Sequence, residues 1–228
     1  AGDTVAIAAP GEQDAQYQHQ GLPVFRYALN PVHDLNDLYG EGDVLGAESL
    51  EKISKEFNAD IVHFHAFTRG VSVLAAKKCR AQGAALVITY HTPTVSCARG
   101  TMMRWGEVAC SGKLSMEPCV ACALQAKKIP NLLANSLSLL PNAWSQGSQH
   151  LPASIMTTAM RMPALLKMRE QACIELFALA DHWVGVCDWV CNVLRNNGVE
   201  EKRLTLSRQG VGRILEKTKT FSNQETAG

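Results

Sequence analysis

Short apolar runs of strand length alternate along this chain with segments whose apolar residues recur at helical spacing. The strand-like runs cover residues 4–8, 24–29, 60–65, 85–90, 182–186 and 204–206. The helical segments cover residues 48–57, 71–80, 162–180 and 188–196. Because parallel strands need long crossover connections, which are usually helices, this alternation predicts an α/β fold with a doubly wound parallel sheet.

The composition is that of a soluble globular chain. Of its 228 residues, 46% are apolar, which is enough for a hydrophobic core, and no apolar run is long enough to predict a membrane-spanning helix. A net charge of +1 gives little attraction to nucleic acid, so we expect none as a main partner. The opening sequence AGDTVAIAAP lacks the features of a signal peptide, and we therefore expect a cytoplasmic protein.

Four of the eight cysteines crowd into residues 97–122, directly after a strand-like run. Their spacing is Cys97-x12-Cys110-x8-Cys119-x2-Cys122. A Cys-x2-Cys pair with two further thiolates supplies a tetrahedral set of soft ligands, so we predict a structural zinc site on an irregular loop. Four unrelated buried thiols are one alternative, and a redox pair formed by Cys119 and Cys122 is another. The remaining cysteines are expected to pack in the core: Cys79, Cys173, Cys187 and Cys191.

Three histidines stand at the carboxyl ends of two neighbouring strand-like runs. His63 and His65 alternate on one run and so face the same side, and His91 directly follows the next run. Doubly wound sheets bind ligands in the crevice outside these strand ends. We therefore predict a ligand-binding edge at His65 and His91, whereas His63 is better explained as a satisfied core residue. No carboxylate motif accompanies the His-Phe-His sequence, so a catalytic metal is not predicted there.

A set of short motifs occurs in a specific order along the chain. They read DIVHFH, VITYHT, the cysteine segment, ALADHWVGVCDWVCNVLRNNGV and RLTLSRQGV. In this order they resemble the N-terminal domain of a family 4 glycosyltransferase, in particular of members that carry a Cys-rich insertion after the Tyr-His-Thr strand. GDTVAIAAPGE is similar to that family's second strand, and the resemblance covers most of residues 3–212.

The resemblance implies a GT-B enzyme, which has two Rossmann-like domains with the active site in the cleft between them. The N-terminal domain holds mainly the acceptor and the C-terminal domain holds the nucleotide sugar, and transfer proceeds with retention and without a catalytic metal. We therefore expect a role in moving a sugar from a nucleotide sugar to a saccharide or lipid-linked acceptor, in polysaccharide or glycolipid biosynthesis. The alternative is a zinc-binding interaction or redox module on a Rossmann-like domain that has no transferase activity.

The resemblance also implies which residues form the site. His91 matches the family's active-site histidine, which faces the transferring sugar, and is expected to be the catalytic residue. His65 matches a histidine at the neighbouring strand end, and residues 207–210 match the junction with the second domain. Substrate binding is accordingly expected at His65, Thr92, Arg99 and Arg208.

The domain organisation follows from the same comparison. Residues 1–212 are expected to form the acceptor-side domain, with the Cys-rich insertion at 97–122 and a low-charge helical insertion at 129–160. Residues 213–228 are interpreted as a polar tail.

Two parts of the family pattern have no counterpart in this sequence. They are the opening strand with its Gly-rich loop and the donor domain with its Glu-x7-Glu motif, so we expect a piece of a longer enzyme that is inactive alone. The one Glu-x7-Glu match, Glu48 and Glu56, lies on a helix of the acceptor-side domain. We interpret it as a solvated charged face.

Residues 129–160 contain no Asp, Glu, Lys or Arg. Prolines and amides in this stretch exclude a membrane-spanning helix. Two interpretations are open: short helices packed on the domain, or an interfacial patch that meets a membrane carrying a lipid-linked acceptor. The second places the protein at the inner face of the membrane, and the preceding Lys127 and Lys128 give it slight support.

Overall fold

The computed structural model describes residues 2–32, 34–139 and 155–208. The expected polar tail, the centre of the low-charge insertion, and Gln209 and Gly210 of the expected junction lie outside the described residues. The strands are β1 Ile7–Gly11, β2 Ala15–His19, β3 Leu22–Ala28, β4 Ile61–Phe64, β5 Ala85–Tyr90, β6 Met103–Arg104, β7 Val108–Ala109, β8 His182–Gly185 and β9 Leu204–Leu206. The α-helices are α1 Leu35–Tyr39, α2 Val44–Glu56, α3 Val73–Ala81, α4 Met116–Ala126, α5 Asn131–Ser138, α6 Ile155–Leu179 and α7 Asp188–Asn196.

The main sheet contains four strands in the order β4-β5-β8-β9. Each neighbouring pair is parallel, with Phe64 opposite Ile88, Tyr90 opposite Gly185, and Gly185 opposite Leu206. All four carboxyl ends therefore lie along one edge of the sheet. This arrangement of a parallel sheet with helices confirms the predicted Rossmann-like α/β fold class.

The core of the main sheet lies between β5, β8 and the helices that pack on them. Tyr90 and Trp183 are buried on the strands, and Phe177 of α6 lies with its ring centroid 5.2 Å from that of Trp183. Three of the cysteines that we expected in the core are buried there: Cys79, Cys173 and Cys191. The fourth, Cys187, is half-buried against the same core.

A second, smaller sheet precedes the main one. β1 and β3 pair in parallel, and β2 pairs with β3 in the antiparallel direction at the edge. Every residue of β2 is exposed, and its sequence AQYQH lacks the apolar alternation that would have predicted a strand. This edge strand is held by its backbone pairing, which the apolar pattern of the sequence does not reveal.

The Cys-rich insertion is more regular than the loop that we predicted. β6 and β7 form an antiparallel hairpin, and α4 and α5 follow it. A separate apolar cluster joins α4, α5 and α6 through Val120, Leu124, Ala134, Met162 and Leu166. In the described part of the low-charge stretch, α5 therefore packs one face on the domain.

No helix among the described residues is long and apolar enough to cross a membrane.

Candidate active site

The carboxyl edge of the main sheet collects side chains from four strand ends. His65 follows β4, His91 follows β5, Asp188 begins the helix after β8, and Arg208 follows β9. The parallel register brings these positions to the edge at which α/β sheets bind their ligands. His65, His91 and Arg208, which were predicted as site residues, thus lie along one edge, and Asp188, which was not predicted, lies there with them.

Three imidazole rings form a row along this edge. The ring centroids of His63 and His65 are 4.1 Å apart, and those of His65 and His91 are 5.2 Å apart and stacked. Nδ1 of His65 and Nε2 of His91 share a hydrogen bond of 3.1 Å. At the other end, Nε2 of His63 lies 2.7 Å from Oγ1 of Thr89. All three histidines are exposed, so the interpretation of His63 as a core residue is wrong.

The row favours neutral imidazoles at His63 and His65. Partial burial lowers the pKa of His63, and the neighbouring charges of His65 and His91 lower it further. Partial burial, followed by the charge of His91, also lowers the pKa of His65. The hydrogen bond between Nδ1 of His65 and Nε2 of His91 requires that one of these two nitrogens carries the proton and that the other accepts it, so the bond couples the tautomers of the two rings.

The lowered pKa values predict that the chain loses stability as the pH falls below about 6.5, the ordinary pKa of histidine. From there down through the lower folded-state pKa values of His63 and His65, the unfolded chain binds more protons than the folded chain. The free energy of unfolding therefore decreases with falling pH. Thermal unfolding measured from about pH 7.5 to about pH 5 tests this prediction.

The double variant His63→Gln, His65→Gln should show a shallower decrease than the wild type. The matched control is His182→Gln, because His182 lies at the amino end of β8, opposite the row, and also contacts a threonine hydroxyl at 2.8 Å. Equal slopes in all three proteins would show that the row does not cause the pH dependence.

Buried side chains hold the loop that carries His91 in place. The hydroxyl of Tyr90 lies 2.8 Å from Oγ of Ser96, and the thiol of Cys173 donates to the carbonyl of Val95 at 2.9 Å. Arg169, which is buried, donates to the carbonyl of Thr94 and places its guanidinium 4.2 Å from the ring centroid of Phe67. These contacts fix the backbone directly after His91.

Thr92 and Arg208 both lie close to the carboxyl edge of the main sheet. Oγ1 of Thr92 is 2.9 Å from Oγ1 of Thr94, one residue after His91 in the same loop. Arg208 pairs with Asp188 at 2.5 Å, and both side chains are largely exposed at the carboxyl edge. Their substrate-binding roles stay predictions.

Arg99 belongs to the cysteine segment. Its Nη1 donates to Sγ of Cys122 at 3.3 Å and to the carbonyl of Met103 at 3.4 Å. The structure places it beside a thiol, and its predicted role in substrate binding stays untested.

The four predicted metal ligands lie in one region and are all half-buried. Burial raises the pKa of Cys119, and the charges of Cys110, Cys97 and Cys122 raise it further. The backbone N–H of Gly112 donates to Sγ of Cys110 at 3.5 Å, and with Arg99 it supplies a donor that would stabilise a thiolate. Among the described residues, no group of three or more His, Cys, Asp or Glu side chains is arranged so that it could hold a metal ion. The zinc site therefore stays a prediction.

Zinc analysis of the protein purified without chelator decides this prediction. A zinc site formed by the four cysteines requires about one zinc ion per chain, and Cys119→Ser should remove most of it. Cys187→Ser is the matched control, because Cys187 precedes α7 at its N-cap, where serine is favourable. A wild-type protein with no bound zinc and four reactive thiols would contradict the prediction.

The buried carboxylate of Asp43 stabilises the loops that lead to this edge of the sheet. The sequence analysis did not identify this residue. Asp43 is 0% exposed and accepts hydrogen bonds from the backbone N–H groups of Gly46 at 2.7 Å and Asn30 at 3.0 Å. Nη1 of Arg69 lies 3.9 Å from its Oδ2 and donates at 3.0 Å to the carbonyl of Val32. Asp43 thus joins the loop after β3, the start of α2 and the loop after β4. Its position three residues before Gly46 is the N-cap signal that could have identified it.

The comparisons with known proteins concern the amino-terminal half of the chain. Residues 1–109 match the family model described as Glycosyltransferase Family 4. No curated protein and no solved structure matches the chain. The matched segment runs from the first strand through the β6–β7 hairpin and includes the row of three histidines. The match over residues 1–109 supports a family 4 glycosyltransferase N-terminal domain.

Proposed function

We propose that this chain is the acceptor-side domain of a retaining glycosyltransferase. The enzyme would move a sugar from a nucleotide-sugar donor to a saccharide or lipid-linked acceptor. The observation that carries the proposal is the hydrogen-bonded pair of His65 and His91 at the carboxyl edge of a parallel sheet, inside the segment that matches the family.

In this reaction the bond between the anomeric carbon and the donor phosphate oxygen breaks, and the phosphate leaves with the electron pair. A bond from that carbon to an acceptor hydroxyl oxygen forms, and the hydroxyl proton passes to the departing phosphate. His91 is exposed at the strand end and would contact the transferring sugar or the acceptor near the reacting carbon. His65 is a positioning residue, because its ring accepts or donates the hydrogen bond that orients His91. The departing phosphate and the alignment of the two substrates supply most of the rate, so few side chains need to act as acids or bases.

The protein's flanking coding sequence and its transfer activity test the proposal together. We expect a strand with a Gly-rich loop upstream and a second α/β domain with a Glu-x7-Glu motif downstream. The intact protein should then move labelled sugar from one member of a panel of nucleotide sugars to a saccharide or lipid-extract acceptor. An intact protein that has no donor-binding domain and transfers no sugar would favour the interaction or redox module instead.

We further propose that α5 contacts the membrane that carries a lipid-linked acceptor. Its outer side exposes Leu132 and Leu133, and Leu139 follows directly; Leu132 is 86% exposed. The stretch from 129 to 160 contains no acidic residue to repel anionic headgroups, and the exposed Lys127 and Lys128 precede it. Apolar side chains beside a basic pair are typical of an interfacial helix.

Flotation with vesicles of phosphatidylcholine and phosphatidylglycerol tests this contact. We expect the chain to float with the vesicles and the double variant Leu132→Asp, Leu139→Asp to lose most of that binding, since each change removes an apolar contact and adds a repelling charge. Val32→Asp is the matched control, because Val32 is 68% exposed on a loop elsewhere in the domain. A wild-type chain that stays in the soluble fraction at low salt would overturn the proposal.

A further inference from the structure

A cleft of about 320 Å³ lies between the β6–β7 hairpin, α4 and α5. The hairpin contributes Arg104 and Trp105, α4 contributes Glu117, and α5 contributes Asn135. The volume is in the range of clefts that hold small ligands. None of these residues belongs to the histidine row, and the functions assigned so far do not use them.

The backbone of the hairpin turn explains why the tryptophan is unusual. Trp105 and Gly106 both have positive φ angles, 59° and 82°, and the N–H of Glu107 donates to the carbonyl of Arg104 at 3.1 Å. Arg104 pairs with Val108, so three residues connect the strands, and the β-turn from Arg104 to Glu107 within this connection has positive φ at both central positions, the first of which normally holds Asn, Asp or Gly. A bulky residue held there costs of order 1 kcal/mol.

Burial does not compensate for this cost, because the Trp105 side chain is 54% exposed. The turn would be more stable with a smaller residue, so the folding of the hairpin does not require a tryptophan at this position. An exposed aromatic ring kept in an unfavourable backbone conformation at the rim of a cleft indicates a binding role.

The groups around the ring define the chemistry of the ligand. The guanidinium of Arg104 lies 5.9 Å from the Trp105 ring centroid. Within the described residues, neither the Glu117 carboxylate nor the Asn135 amide has a hydrogen-bond partner. A sugar ring has an apolar C–H face that packs on an aromatic ring, and hydroxyls at its rim that a carboxylate and an amide can bind.

We propose that this cleft binds a saccharide unit of the acceptor, with Trp105 packing on the sugar face and Glu117 and Asn135 binding its hydroxyls. The cleft adjoins α5, so a lipid-linked saccharide would place its head group here while its lipid stays in the membrane. The assignment of the saccharide to an acceptor rests on the proposed transferase function; the binding of a saccharide does not.

Trp105→Asn separates binding from folding. Asparagine is favoured at this turn position, so the variant should keep or raise the wild-type Tm. It should nevertheless bind its preferred saccharide on an array of immobilised oligosaccharides at least about tenfold more weakly, because the aromatic contact is lost. Trp105→Tyr, which retains a ring, should keep much of the binding. Tyr17→Ala is the matched control, because Tyr17 is 48% exposed on β2, outside the insertion.

The outcomes are distinct. A wild-type chain that binds no saccharide on the array, or a Trp105→Asn variant that binds as the wild type does, overturns the proposal. So does a variant that loses affinity only for phosphatidylcholine and phosphatidylglycerol vesicles that carry no saccharide, because Trp105 is then a lipid contact.

The same variants distinguish a failure of the cleft proposal from a failure of the proposed transferase function. If Trp105→Asn abolishes saccharide binding while the intact protein transfers no sugar, the cleft is supported and the transferase proposal falls. If the intact protein transfers sugar and Trp105→Asn leaves the KM for the acceptor unchanged, the cleft proposal falls alone.

Discussion

Replacing His91 with alanine should lower the turnover of the intact transferase at least about tenfold, which corresponds to about 1.4 kcal/mol of lost transition-state stabilisation. The change removes one of the two exposed rings of the hydrogen-bonded pair, which faces the proposed cleft between domains. Because His91 is exposed, stability should change by less than about 0.5 kcal/mol. Turnover with saturating donor and acceptor, together with a thermal unfolding curve, measures both effects.

Two further variants make the result specific. His182→Ala should leave turnover unchanged, because His182 lies at the amino end of β8 and its ring contacts Thr205 instead of the row. His65→Ala should lower turnover less than His91→Ala, because His65 acts by orienting its neighbour. A His91→Ala enzyme with unchanged turnover would remove His91 from the site.

The parts of the fold that the sequence predicted well have strong local signals. β5 and α7 have the predicted bounds: Ala85–Tyr90 is a continuous apolar run after Gly83, and Asp188–Asn196 is an amphipathic segment before Gly198. Both glycines adopt positive φ angles, 96° and 90°, which ordinary residues avoid. The ends of the helices that precede them could therefore be predicted from the glycines in the sequence.

Elements without such signals were missed. β2 is polar along its whole length, and the β6–β7 hairpin has strands of two residues, too short to show alternation. α6 begins at Ile155, before the predicted start, and includes Pro163 within it. In these segments tertiary packing and backbone pairing determine the structure, and the local pattern carries little information.

The candidate functional residues also include some that the sequence predicted and some that it did not. His65 and His91 were predicted because strand ends of a parallel sheet meet at one edge. Trp105 was not predicted as a site residue, because its significance depends on the positive φ angle of its backbone, which the apolar pattern of the sequence does not reveal. The cysteines supplied a ligand set by type and spacing, but the distances among their sulfurs depend on how the hairpin packs against α4.

The largest stability effect that we expect is that of Asp43→Ala. Its carboxylate is inaccessible to solvent and accepts two backbone hydrogen bonds while lying 3.9 Å from the Arg69 guanidinium. Alanine leaves the N–H groups of Gly46 and Asn30 unpaired and the nearby Arg69 without its counter-charge. The loss of the N-cap and of one partner of a buried pair should together lower the free energy of unfolding by about 3 kcal/mol. In a protein of this size that corresponds to a decrease in Tm of roughly 6–12 °C.

Calorimetric unfolding of three variants tests this account. Asp34→Ala is the matched control, because Asp34 caps α1 through a 2.9 Å bond to the N–H of Asn36 but is exposed, so its loss should cost about 1 kcal/mol or less. Asp43→Asn keeps an oxygen acceptor and should fall between the other two variants. If Asp43→Ala and Asp34→Ala lower the Tm equally, burial and Arg69 add nothing to capping. If the expected order is found, the loop after β4 is stabilised by Asp43, and the same carboxylate that caps α2 also helps to hold the backbone that leads away from His65.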